Sequence, residues 1–518
     1  NRRSFAGFAA AVAGSSWLSA RTRRSPTTTE RRRRFANDPF AMGVASGDPS
    51  HDGMVLWTRL VPEPFAPRGG MPNETVTVGW EIANDEAMRN VVQRGTALAT
   101  VELGHSVHVE LQGLQPDRVY WYRFRVGDAD SPIGRTRTLP AANAMPQRAR
   151  FAITSCQNWE QGLFTAYEQM RADDPDLVFH LGDYIYEYEA GRNGKVRTHH
   201  GKEIETLDDY RMRHAQYRSD PLLQAMHAHC PWFVTWDDHE VDNNYAGAVS
   251  EQKDVSPEAL LRRRAAAYQA YYEAMPLRAS CLPIGPDMRL YRKASYGRLA
   301  ELFVLDTRQY RSDQPNNDKR GPLHGEALAA GRTLLGADQR LWLKQGLLDS
   351  RGTWNVLAQQ VMMACATTPV AEGAELSFSM DQWPGYAHER ADLLRFFTER
   401  KVANPVVLTG DIHSNWANEL RIDDRDEKTP VVAAEFVATS LSSGGDGGDG
   451  KTYRERVMAQ NPGVRYHNQQ RGYLRCTIDA KTWVTDYVVM DKVTTAGGKA
   501  TVATSLALEG GDSRLHVR

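Results

Sequence analysis

Four short blocks of this chain end an apolar run in side chains that bind metals. They read FAITSCQN (151–158), LVFHLGDYIYE (177–187), WFVTWDDHE (232–240) and VVLTGDIHS (406–414). Each opens with the Val-, Ile- and Phe-rich run of a buried parallel strand. Each then breaks into Cys, Asp, Tyr or His. In an open α/β sheet, ligands bind at the carboxyl ends of the strands. Cys156, Asp183, Tyr186, Asp237, Asp238, His239, Asp411 and His413 are therefore expected to converge on one metal centre.

Their chemistry divides them into two sets. Thiolate, phenolate, imidazole and a carboxylate suit a transition metal such as ferric iron. Asp238 and Asp411 form an oxygen-only set, which suits a hard cation such as Ca²⁺, Mg²⁺ or Mn²⁺. Asp183 falls between the sets as a bridge. Two metals about 3.5–4 Å apart clamp the attacking and leaving oxygens of an in-line displacement and acidify bound water. That chemistry is hydrolysis of phosphate esters. Asp183 and Tyr186 are three residues apart, which brings both to one point where a strand turns into a loop. Asp411 and His413, two apart, share one side of an extended segment. Gly182 and Gly410 would let the backbone approach the metal closely. His239 is either a ligand or a proton donor to the leaving group.

The elements that must position these residues fall into two regions. At 518 residues the chain is too long for one core, so two domains are expected. Residues 39–140 read as strands separated by turns, among them MVLWTRL (54–60), VTVGWEI (76–82) and VYWYRFRVG (119–127). About seven such strands at this spacing predict an immunoglobulin-like β-sandwich. The Pro-containing stretch TLPAANAMPQ (138–147) is the linker. Strands then alternate with helices over 148–491, for example SPEALLRRRAAAYQAYYEAM (256–275), where Ser256 caps and Pro257 fits the first turn. Residues 492–518 are left as a C-terminal tail. The glycine-rich run SSGGDGGDG (442–450) lacks the Lys-Ser pair of a phosphate-binding P-loop and reads as a mobile surface loop. Trp159, Trp232, Trp236 and Trp416 lie close to the blocks and are expected to pack the core or rim the cleft.

Nothing in a net charge of −1 suggests a general nucleic-acid or membrane-surface binder. There is no run of about 20 apolar residues, so no membrane span is expected. The first 38 residues read as an export signal and a basic linker. Two arginines precede Ser-Phe and a small, mildly apolar stretch, similar to a twin-arginine signal. Such a route implies the twin-arginine export machinery as a partner and a periplasmic or extracellular destination. The five cysteines, at 156, 230, 281, 365 and 476, form no CxxC pattern. With Cys156 on a metal, the other four allow one or two disulfides or buried free thiols.

SCQN, GDYIYE, WDDHE and GDIHS resemble the motifs of the PhoD-type alkaline phosphatases and phosphodiesterases. These belong to the calcineurin-like metallophosphoesterases, and the resemblance runs from about Phe40 to about Asp491. It implies an α/β fold in which a four-layer αββα metallophosphoesterase domain follows the sandwich. The wider group carries the motifs GDxG, GDxxY, GNH(E/D), VxxH and GHxH. By that pattern Cys156 replaces an aspartate ligand, Asp183 is the bridge and Tyr186 is the phenolate on ferric iron. Asp238 replaces an asparagine, His239 is the substrate-facing histidine, Asp411 replaces a histidine and His413 stays on iron. VLAQ (356–359) stands for the fourth motif, with Gln359 or Gln360 in place of its histidine. Nitrogen ligands thus leave the second site, which favours Ca²⁺ there. The resemblance implies a monomeric, secreted enzyme without a specific nucleic-acid partner. It hydrolyses phosphate mono- and diesters by metal-activated hydroxide at an Fe³⁺–Ca²⁺ centre. Action on phospholipid headgroups, of the phospholipase D type, is an alternative. A non-catalytic envelope-binding protein is another, against which the intact ligand set argues. Arg192 and Arg197, which follow GDYIYE, are the candidates for gripping phosphate.

Overall fold

The computed structural model describes residues 34–518, so the twin-arginine segment lies outside the described residues. The apolar runs that end in ligands are strands. Ala149–Thr154, Leu177–Leu181 and Trp232–Thr235 pair in parallel at the centre of a ten-stranded sheet. Pro405–Thr409 lies in a second, seven-stranded sheet, parallel to Trp354–Ala358 and Ala433–Val437. Such strands are apolar on both faces because both faces are covered.

Alternation along each strand decides which core receives each residue. Leu177, Phe179 and Leu181 enter one core with Leu302, Val304, Val356, Ala358, Val406 and Leu408 of the seven-stranded sheet. Val178 and Val234 face the other way, among Tyr167, Met170, Tyr210, Leu223, Leu260 and Tyr271 of the helices. Beyond the second sheet, Phe303, Leu357 and Val407 pack with Leu343, Leu347, Leu393 and Phe397 of helices Ala337–Asp349 and Ala387–Glu399. The long helix Pro257–Ala274 starts as its sequence dictates. The Ser256 side chain accepts the Ala259 N–H, and Pro257 opens the first turn.

Two segments are organised differently from the sequence reading. Residues 39–140 do not close into a sandwich of their own. Val76–Ala83, Val91–Ala99, Val119–Val126, Ala129–Asp130 and Gly134–Arg137 form a separate five-stranded sheet. Val44–Gly47, Val55–Arg59 and Ser106–Glu110 instead extend the ten-stranded sheet through the bridge Gly47–Trp232. The two sheets share a core of Leu56, Val107, Val78, Ile82, Tyr122 and Phe124. Joining the larger sheet removes an unpaired edge beside Trp232–Thr235, a saving that local alternation does not reveal.

Residues 492–518 are not a tail. Ala500–Glu509 and Asp512–Val517 are the last two strands of the ten-stranded sheet, and they bury Leu506, Leu508 and Leu515. All five cysteines are buried and unpaired. Cys230 and Cys476 sit in different cores, so burial rather than cross-linking accounts for them. No helix among the described residues is long and apolar enough to cross a membrane.

Candidate metal centre

Cys156, Asp183 and the run Asp237–His239 follow the carboxyl ends of three adjacent strands of one sheet. Asp411 and His413 arrive from the other sheet. The centre is therefore a seam between two sheets rather than a crevice in one. Ligand atoms of Cys156, Asp183 and His413 lie within 4.8 Å of one another. So do those of Asp183, Asp238 and His239, and those of Asp237, Asp238 and Asp411. Asp183 links the first two groups and Asp238 the last two. Tyr186 joins the first group, with its Oη 2.8 Å from Asp183 Oδ2 and 3.3 Å from His413 Nε2.

The loops are held in costly conformations. Cys156, Asp183, Asp411 and His413 all have left-handed φ, between 52° and 68°. Such non-glycine residues cost about 1–3 kcal/mol each and persist only where their surroundings impose them. Here the Glu240 carboxylate accepts the backbone N–H groups of Asp183, Tyr184 and Asp237, tying two ligand loops together. Cys156 N–H donates to Gly182 O, at 3.1 Å. A Cβ on Gly182 would fall 2.4 Å from Asp237 Cβ, and one on Gly410 would fall 2.7 Å from Ser155 Oγ. The two glycines thus bring the ligand loops against each other rather than against a metal.

The electrostatics call for cations. Burial, reinforced by the Asp183 charge, pushes the Cys156 thiol and the Tyr186 phenol well above their usual ranges. Burial also raises the Asp183 carboxyl, with Asp238, Asp237 and Glu240 adding to it against His239. Burial takes Asp411 up to about 6. It takes His413 down to about 3, so that imidazole is neutral, as a ligand must be. Asp183 Oδ1 and Asp237 Oδ2 are buried and make no hydrogen bond, while Asp238 Oδ1, also without one, has Arg308 Nη2 at 3.5 Å. Orphaned buried oxygens of this kind are tolerable where the carboxyl is neutral or faces a positive ion, and a cation would let these carboxyls ionise. The residues present therefore fit a metal centre.

His239, close to Asp183 and Asp238, has one ring nitrogen engaged by an acid. Its Nδ1 lies 2.8 Å from Glu187 Oε2, and Glu187 also accepts the Asn243 N–H. Burial lowers the imidazole, but Glu187, Asp238 and Asp183 outweigh it and raise it well above its usual value.

Several residues of the site were not singled out in the sequence. Arg308 is fully buried, with Nε 2.5 Å from Asp237 Oδ1 and both Nη atoms on Asp381. Its Nη2 is 3.5 Å from both Asp238 and Asp411. It follows the strand Ala300–Val304, and an arginine after an apolar run was the available signal. Glu187 and Glu240 close the GDYIYE and DDHE blocks, and their acidity was the signal there.

Other expectations need correction. Gln359 and Gln360 do not replace the fourth-motif histidine. Gln359 bonds Val361 O, Thr409 and Trp383, while Gln360 bonds Thr307, Thr235 and Leu305 O, so their amides are consumed in bracing the sheet ends. Ser442 and Ser443 are fully buried against the Cys156 loop, so the glycine-rich run is anchored at its start. The tryptophans need no correction: Trp232 and Trp236 are fully buried in the core, and Trp416 packs edge-on against His467.

Known proteins bear on this centre directly. A family model described as PhoD-like phosphatase matches residues 151–487, and one for the PhoD-like phosphatase N-terminal domain matches residues 25–140. The chain belongs to the PhoD-like phosphatases. It is 50% identical over 479 residues to alkaline phosphatase D of Bacillus subtilis (strain 168), covering 92% of this chain and 82% of that one. A solved structure described as the structure of PhoD superposes with a TM-score of 0.90 at 49% identity, covering 94% and 93% of the two chains. This PhoD-like chain is accordingly a phosphoric ester hydrolase of mixed α/β fold. Its substrate is a phosphate ester and its activity depends on metal.

Of the two candidate phosphate-gripping arginines, Arg197 is used in the fold. It donates to Asp220, Trp159 O and Gly162 O and lies 3.6 Å over the Trp159 ring. Arg192 is exposed and stacks on Tyr188, whose ring meets that of His239 at 5.2 Å. Arg192→Ala is expected to raise KM for a phosphate diester with kcat little changed, because it would remove binding common to ground and transition states. Arg197→Ala should instead lower the melting temperature. An unchanged KM in the first variant would exclude Arg192 from substrate binding.

Proposed function

We propose that this PhoD-like phosphatase hydrolyses phosphate mono- and diesters at a mixed Fe³⁺–Ca²⁺ centre. Cys156, Asp183, Tyr186 and His413 hold the iron. Asp183, Asp238 and Asp411 hold the calcium. The observation that carries the reading is Asp183, which belongs to two ligand groups and keeps one orphaned buried oxygen. Thiolate, phenolate and carboxylate together supply three negative charges, the number that balances ferric iron. The group of Asp237, Asp238 and Asp411, which shares Asp238 with the Asp183 group, offers only oxygen, the donor that calcium prefers. We read the two large sheets and their helices as a four-layer αββα unit, and the arginine pair at positions 2 and 3 as a twin-arginine export signal.

Bound cations would supply Lewis acidity toward the phosphoryl oxygens and an acidified water. The residues of the chain supply the remainder. Glu187 holds a proton on His239 Nδ1 and stabilises the imidazolium, whose Nε2 proton can pass to the leaving alkoxide and leave a neutral imidazole. Arg308 holds Asp237 and Asp381 in place, and against burial its charge helps to draw the Asp238 and Asp381 carboxyls below their usual range. Arg192 on Tyr188 sits where the second ester group of a diester would leave the site.

Elemental analysis of freshly purified protein tests the assignment. Iron and calcium are expected together, with a visible absorption band from the Tyr186 phenolate to iron. Zinc alone, with full activity, would overturn it. The metal preference should also be transferable. Asp238→Asn with Asp411→His removes two carboxylates and adds an imidazole, a donor suited to transition metals. After chelation, calcium is expected to lose its ability to restore diesterase activity, while Mn²⁺ or Zn²⁺ restores part of it. Unchanged calcium dependence would remove these residues from the second site.

A further inference from the structure

Ser443 is fully buried at the start of the glycine-rich run, and every polar atom of it is hydrogen-bonded. Its Oγ lies 2.7 Å from Tyr186 Oη, 2.8 Å from Cys156 O and 3.1 Å from the Asn158 N–H that donates to it. Its own N–H donates to Cys156 O at 3.2 Å. Its carbonyl accepts from Arg471 Nη1 at 2.8 Å and from Ser440 Oγ at 2.6 Å. The same Arg471 Nη1 lies 2.7 Å from His413 O. Gly444, at φ 86°, then turns the chain out to the surface. The serine is therefore tied to the Cys156 loop directly and to the His413 loop through one guanidinium.

Hydrogen-bond inventory at Tyr186 Oη defines what that hydroxyl is for. Three side-chain atoms lie within reach: Asp183 Oδ2, His413 Nε2 and Ser443 Oγ. A carboxylate and an imidazole nitrogen that ligate a metal have no proton to offer. Only the serine has one. When Tyr186 keeps its proton, Ser443 can donate to Cys156 O and accept from Tyr186. When Tyr186 is a phenolate ligand, the serine O–H must rotate from Cys156 O to the phenolate oxygen, while Asn158 N–H continues to hold the serine oxygen in place.

We propose that Ser443 is the positioning residue of the Tyr186 phenolate, supplying the hydrogen bond that fixes its orientation and tempers its donation to the metal. The role rests on Tyr186 being a ligand, as proposed above. Partners of this kind, one step removed from the metal, tune affinity and electronics by orienting the ligand.

Iron-loaded Ser443→Ala, Ser443→Thr and Tyr186→Phe proteins provide the test. A phenolate without its donor holds its electrons less tightly, so the Ser443→Ala absorption band should move to longer wavelength. Its first-site metal should be stripped by a chelator roughly 10–100-fold faster than from wild type. Ser443→Thr keeps the hydroxyl and should return both readouts toward wild type, which a merely space-filling role would not require. Tyr186→Phe should lose the band. If Tyr186→Phe loses the band and Ser443→Ala leaves both its position and the release rate unchanged, the role of Ser443 is overturned. If wild type shows no band that Tyr186→Phe removes, the ligand reading of Tyr186 falls first and this role falls with it. Should Ser443→Ala fail to fold, Ser443→Cys substitutes a weaker donor. A smaller shift in the same direction is then expected, and none would overturn the proposal.

Discussion

Asp183→Asn is expected to abolish phosphoesterase activity almost completely. Asp183 is common to two groups of potential ligands, and one of its oxygens is buried without a hydrogen-bond partner. An amide keeps the shape and removes the charge that would hold two ions together. Metal content should fall along with kcat, which separates this outcome from loss of a proton-transfer group. The stability of the metal-free protein should move the other way. In that state the Asp183 carboxyl is buried beside Asp237, Asp238 and Glu240. Replacing it by a neutral group relieves repulsion, so metal-free Asp183→Asn is expected to melt no lower than metal-free wild type. Functional residues carry this kind of conflict between activity and stability. A variant that retains both metals and its turnover would refute the bridging assignment.

His239→Ala should lower kcat by roughly 10²–10⁴-fold, the usual contribution of a positioned proton-transfer group. Its metals should stay. His239 Nδ1 is committed to Glu187, and the imidazole is held charged by the acids around it. Those features suit the proposed proton donor, whereas the His413 imidazole is pushed down and so suits the neutral form a ligand requires. The contrast between two histidines in one site can be measured by metal analysis and single-turnover rates on the same preparation. Stoichiometric loss of iron from His239→Ala would make it a ligand and leave the proton donor unidentified.

These two histidines also show how far local sequence reaches. Types of ligand are local. An apolar run with both faces buried, followed at once by Cys, Asp or His, marks a strand end, and the four blocks place eight metal-binding side chains there. The helix Pro257–Ala274 is local in the same sense, since its cap and first-turn proline are adjacent in the chain. For the family too, the short blocks suffice, because they are where the chemistry leaves least freedom.

What lies between distant segments was decided only by tertiary structure. Pro405–Thr409 has the look of a fourth strand in the first sheet, yet it pairs in the second, because strand order follows from long-range packing that periodicity does not encode. Arg308 comes 70 residues after Asp238, and Ser443 comes 257 residues after Tyr186. Nothing in their neighbourhoods announces a metal. The last two strands and the split of residues 39–140 between two sheets have the same origin, since an edge can be covered only by a partner brought from elsewhere. The unpaired cysteines do too, because each is buried where its own strand or loop happens to pack. By itself the sequence determined which atoms can bind the ions. The meeting of two sheets determined where those atoms stand, and which buried arginine and serine hold them there.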